Sequence, residues 1–110
     1  MDIEFNTKRL AKQCNSRKAM AAQWDPEMAK KLQRRLNDLE AANCLEDLRH
    51  APGMYHELKG NRAGEIAVRL RGPYRLIFRP NHEPVPITPD SKIDWAQVSK
   101  ILITEVVDYH

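Results

Sequence analysis

An α+β fold is predicted by three features of the 110-residue sequence. Apolar residues recur at helical spacing through the first half. After Pro52-Gly53 the pattern changes to strict alternation, and one short alternating segment also precedes the helices. Helices followed by a run of strands place N-terminal helices against one face of a small, mostly antiparallel sheet. The length suits a single domain, residues 1–110, with a modest core.

Asp2 to Asn6 alternates around Ile3 and Phe5 and reads as a first strand. Thr7 is placed to cap a helix carrying Leu10 and Cys14, which breaks near Asn15-Ser16 and resumes through Met20 to Trp24. Asp25-Pro26 restarts the helix, with a capping acid and proline at the first helical position. Met28, Leu32, Leu36 and Leu39 then form an apolar stripe to about Asn43, interleaved with Lys30, Lys31, Arg34 and Arg35, a solvated basic face. Leu45 to His50 reads as a short helical turn.

Strands are predicted over Met54 to Leu58, Glu65 to Arg71 and Tyr74 to Arg79, joined by turns at Lys59-Gly60-Asn61 and Gly72-Pro73. In the second of these, Ile66, Val68 and Leu70 share one face, and Ala67, Arg69 and Arg71 share the other. Four prolines between positions 80 and 89 make residues 81–94 a loop. Trp95 to Lys100 is a short helix or the approach to a last strand over residues 101–107.

Several classes are excluded. No apolar run approaches membrane-spanning length, and the first residues lack the features of a signal peptide, so a cytoplasmic location is expected. Cys14 and Cys44 are far apart, and the histidines at 50, 56, 82 and 110 lack zinc-ligand spacing. Both cysteines are expected to be small core residues, with no metal and no organic cofactor.

The net charge of +3 is unevenly distributed. Residues 51–79 carry six basic side chains (Lys59, Arg62, Arg69, Arg71, Arg75, Arg79) against two acidic ones. Arginine suits bidentate phosphate contact, so these six are candidate RNA- or phosphate-binding residues. The last strand runs into Asp108-Tyr109-His110, which brings a carboxylate, a phenol and an imidazole to its tip. The meander permits His56 to lie near that tip without requiring it. Metal-free cleavage of RNA needs few parts. A base takes the 2′-hydroxyl proton, a cation steadies the phosphoryl oxygens, and an acid protonates the leaving oxygen. Two imidazoles suit the proton transfers, and Lys59 and Arg75 suit the charge.

HELKGNRAGE (His56 to Glu65), PYRLIFRP (Pro73 to Pro80) and VVDYH (Val106 to His110), in this order, resemble the HigB branch of the RelE/ParE toxins of bacterial type II toxin–antitoxin modules. The resemblance covers essentially the whole chain. It implies a RelE-like sheet and endoribonuclease cleavage of messenger RNA in the ribosomal A site. It also implies a cognate antitoxin, in this branch usually a helix-turn-helix, HigA-like protein. His56, Asp108, Tyr109 and His110 match the catalytic set, and Lys59 and Arg75 the phosphate-binding cations. Residues 81–97 depart from the family's shorter connection. The competing readings are a ParE-like toxin acting on gyrase, which needs no proton-transfer set, and a non-catalytic protein binding RNA or only an antitoxin.

Overall fold

The structure is a computed structural model and describes residues 1–108. Among these residues one five-stranded sheet has the order β1-β5-β4-β3-β2. Strand β1 (Asp2–Phe5) runs parallel to β5 (Lys100–Asp108), with Ile3 opposite Ile101 and Phe5 opposite Ile103. Strands β2 (His56–Glu57), β3 (Ile66–Arg69), β4 (Tyr74–Pro80) and β5 pair antiparallel in succession. The predicted α+β class and mostly antiparallel sheet are therefore present.

Three capped helices lie between β1 and β2. Thr7 starts α1 (Lys8–Cys14), Ser16 starts α2 (Arg17–Gln23) and Asp25 starts α3 (Pro26–Ala41). Each capping oxygen accepts the amide three residues on, at 3.1, 3.2 and 2.8 Å. Such a cap is worth about 1 kcal/mol. The helices bury Leu10, Met20, Met28, Leu32 and Leu39 against Ile66, Val68, Leu76, Phe78, Ile101 and Ile103 of the sheet.

Several expectations need correction. Arg35 belongs to no solvated face: it is buried, because position 35 falls on the core-facing line of residues 28, 32 and 39. Its Nε donates to the Arg69 carbonyl at 3.0 Å, and Nη1 lies 3.9 Å from Asp38. Strand β2 is shorter than predicted, because Gly53 (φ +118°) and Met54 (φ +54°) take left-handed backbone and interrupt it. Cys14 is buried, which pushes its thiol up to about 11, but Cys44 is only partly buried. No helix among the described residues is long and apolar enough to cross a membrane.

Gly53 sits where a side chain would not fit. A Cβ there would lie 2.5 Å from Val68 Cγ2 and 2.9 Å from Arg35 Nε, on backbone that disfavours L side chains. Gly53→Ala is expected to cost about 2–4 kcal/mol in urea unfolding, from strain plus overpacking. At Gly64, φ is +96° and nothing lies within 4 Å, so Ala should cost only about 1 kcal/mol. Equal losses at both positions would rule out the steric part of the argument.

Tyr55 is buried, and its hydroxyl has no hydrogen-bond partner among the described residues. Burial, helped by the Asp38 carboxylate, raises its ionisation from 10.0 to about 12. Below pH 10 the phenol is protonated in both states and contributes no pH dependence. Between pH 10 and about 12 the unfolded chain has lost the proton and the folded one keeps it, so stability falls as pH rises. Tyr55→Phe should remove this alkaline step and leave neutral-pH stability unchanged or slightly raised. Thermal melts from pH 7 to pH 11.5, compared between wild type and Tyr55→Phe so that the other titrating groups cancel, check it.

Candidate nucleic-acid interface on the open face of the sheet

Strand alternation divides the sheet. Ile66, Val68, Leu76 and Phe78 face the helices, so Ala67, Arg69, Arg75, Ile77 and Arg79 face the other way. Register then builds two rows on this open face. One runs His56–Ala67–Ile77–Glu105, and the next runs Arg69–Arg75–Val107. Arg69 and Arg75 are direct cross-strand partners, an arrangement of like charges that destabilises a bare sheet. His56 stands diagonally beside them. A cleft of about 60 Å³ is lined by Gly53, Met54, His56, Arg69 and Arg75.

Each member of this cleft is held. The Arg69 amide donates to the Gly53 carbonyl at 2.7 Å, tying the left-handed turn to β3. Arg75 Nη1 donates to the carbonyls of Gly72 and Tyr74 at 3.0 and 2.8 Å. His56 Nδ1 lies 2.8 Å from the Met54 carbonyl. A carbonyl only accepts, so Nδ1 carries the hydrogen, and in the neutral ring Nε2 presents a lone pair. The left-handed Met54 that supplies this carbonyl is a strained position next to the imidazole it orients.

The other predicted residues are spread more widely. Lys59 is exposed at the start of the hairpin turn Gly60–Arg62, outside the lining of the His56 cleft. Arg62 pairs with Glu65, at 2.8 Å, and with Glu105. Arg71 does not join Arg69, because the strand ends before it. It lies 3.7 Å from Asp25 and lines a groove with Lys30, Lys31 and Arg34 of α3. Arg79 lines a larger groove of about 670 Å³ with Val85, Ile87 and Ile93. Asp108 is the ladder partner of Tyr74, which puts it on the helix-side face, opposite to that of His56. Tyr109 and His110 lie outside the described residues.

Sequence reasoning missed Arg35, Glu57 and Glu105. Only Glu105 left a signal, as a charged residue inside an apolar alternating strand. Glu57 braces the proline-rich segment: its carboxylate accepts the Ile93 amide at 3.4 Å and the Trp95 indole at 3.1 Å. Arg49 stacks on the other side of this joint, 4.2 Å from the Trp95 ring centre. Glu57→Ala should cost about 1–3 kcal/mol, since it leaves a part-buried indole N–H without its acceptor. The Trp95 indole proton resonance should move upfield; an unchanged resonance would show that the brace is not formed in solution.

The family described as the RelE-like toxin of type II toxin–antitoxin system HigB matches residues 3–86, well over half of the chain. No curated protein matches the chain by sequence. Among solved structures, the YoeB/ParE toxin from Agrobacterium tumefaciens has a TM-score of 0.62 at 12% identity, with all of both chains covered. The YoeB–YefM complex from Staphylococcus aureus gives 0.57 at 17% identity, covering 100% of this chain and 97% of that one. The YoeB dimer from Staphylococcus aureus gives 0.55 at 21% identity over the same shares. At these identities the likeness concerns the fold.

Proposed function

The chain belongs to the HigB-like family of RelE-like toxins of type II toxin–antitoxin systems, and from that premise we propose that it is a ribosome-dependent endoribonuclease. The observation that carries this reading is the Arg69–Arg75 cross-strand pair beside an imidazole whose Nδ1 is already committed. Two arginines on facing positions of neighbouring strands favour a bound phosphodiester, which relieves the repulsion of their charges. A 2′-hydroxyl next to that phosphate donates its proton to His56 Nε2. The 2′-oxygen then bonds to phosphorus, and the bond to the 5′-oxygen breaks. Charge on the phosphoryl oxygens falls to Arg69 and Arg75, with Lys59 approaching from the hairpin. His110 is the proposed proton donor to the leaving 5′-oxygen, with Tyr109 as the other member of the set; Asp108, on the helix-side face, does not share the surface of His56. The products are a 2′,3′-cyclic phosphate and a 5′-hydroxyl end.

The cleft is small and offers no base-reading pocket, so the ribosome must supply much of the positioning. A cognate antitoxin, a helix-turn-helix protein in the HigB reading, is the proposed partner. One of the similar solved structures is itself a YoeB–YefM complex.

Single-turnover cleavage on programmed ribosomes tests the assignment. His56→Ala should lower the rate about 10²–10⁴-fold. Arg75→Ala should weaken ribosome association and reduce its salt dependence by about one phosphate contact. Arg71→Ala should do neither. Full-rate cleavage by His56→Ala, or salt-independent binding by the wild type, would sink the reading.

A further inference from the structure

The hairpin between β2 and β3 carries Lys59 but has little to hold it. Its base is closed by the Leu58 amide donating to the Glu65 carbonyl at 2.9 Å. Among the described residues, the backbone hydrogen bonds of the tip itself run from the Arg62 amide to Lys59, the Ala63 amide to Gly60 and the Glu65 amide to Arg62. A Cβ at Gly60 or Gly64 would meet nothing within 4 Å, so no other element packs on the tip there. Among the described residues the Lys59 ammonium makes no hydrogen bond or ion pair.

Arg62 supplies a long-range tie. It pairs with Glu65 inside the hairpin and with Glu105 on β5, 43 residues away in sequence. Glu105 lies in the row His56–Ala67–Ile77–Glu105, three strands from β2. A side chain reaching from the hairpin to Glu105 must pass over that row. Ala67 and Ile77 are both fully buried, although they face away from the helices. The ion pair thus straps the hairpin down across the open face. It also matches the Arg62 charge with two carboxylates, so Arg62 offers little net charge to a phosphate.

We propose that Glu105 and Arg62 are positioning residues that hold the Lys59 hairpin against the open face of the sheet, and that Arg62 is not itself an RNA contact. The inference rests on the reading of Lys59 as a phosphate-binding cation. Glu105 acts through the hairpin, so its loss misplaces the ammonium and does not remove a group that touches RNA. A displacement of about 1 Å is enough to lower a rate about 10²-fold.

Two measurements on Glu105→Gln decide this. Amide hydrogen exchange on the free protein should speed up at Leu58, Ala63 and Glu65 by about tenfold or more, with the rest of β3 and β4 unchanged. Single-turnover cleavage at saturating programmed ribosomes should slow by about 10–10²-fold, with half-saturation and melting temperature little changed. In a Lys59→Ala background the same substitution should cost nothing further, because the group being positioned is already gone. Unchanged exchange overturns the strap, whatever the RNA result. Faster exchange with an undiminished rate, or a loss that persists in full without Lys59, overturns the positioning role. If the wild-type protein cleaves nothing, the proposed enzymatic function fails and the positioning role fails with it, while exchange still decides the strap.

Discussion

Arg35 carries its guanidinium into the interface between α3 and the sheet, where it is 6% exposed. A charge in that position is tolerated only if its donors are met. The Arg69 carbonyl accepts from Nε, and the Asp38 carboxylate, 3.9 Å from Nη1, offsets the charge. Breaking such a buried arrangement costs about 3–5 kcal/mol, well above the worth of a surface pair. The geometry of the site follows from this contact. The Val68 side chain and the Arg35 guanidinium fill the space beside Gly53, which excludes a Cβ there, and the chain enters β2 through the left-handed turn. That turn presents the Gly53 carbonyl to the Arg69 amide and the Met54 carbonyl to His56. The buried Arg35 thus touches both the Arg69 backbone and the turn whose next carbonyl meets the His56 ring.

The open face is uneven in charge, and its pairings show where an anion would settle. Like charges on directly facing positions of neighbouring strands repel, less once salt screens them. Arg69 and Arg75 face that penalty directly, relieved in part by the carbonyls that accept from Arg75. Further along, Glu65 and Glu105 offset Arg62, and the potential there is close to balanced. Arg71 is drawn away toward Asp25. The positive field is thus concentrated at the end of the sheet where His56 stands. The six basic residues of the central segment form separate environments and not one continuous patch.

The proline-rich segment has a structural role that its composition only partly discloses. It runs from the end of β4 past the β2 edge, where Glu57 fastens Ile93 and Trp95. His82 Nε2 accepts the amides of Ser99 and Lys100, and the Asn81 amide nitrogen donates to Glu4. Covering a short edge strand removes a template for unwanted pairing. The segment also leaves Val85 and Ile87 exposed on the rim of the larger groove, away from the His56 cleft.

The sequence by itself determined the fold class, the three helix starts and the strand faces. These are local properties: a capping oxygen three residues before its amide, an apolar stripe at period 3.6, an alternation at period 2. They put Arg69 and Arg75 on the face of the sheet turned away from the helices with no knowledge of contacts. Burial of Arg35, the turning away of Arg71, the pairing of Arg62 with Glu105 and the helix-side position of Asp108 were decided only by the tertiary structure. Alternation assigns a face only while a strand lasts, and β3 ends at Arg69. It does not say which residue 43 positions away will stand across the sheet, because register between distant strands is set by packing of the whole core and by the bulge between Ile77 and Phe78.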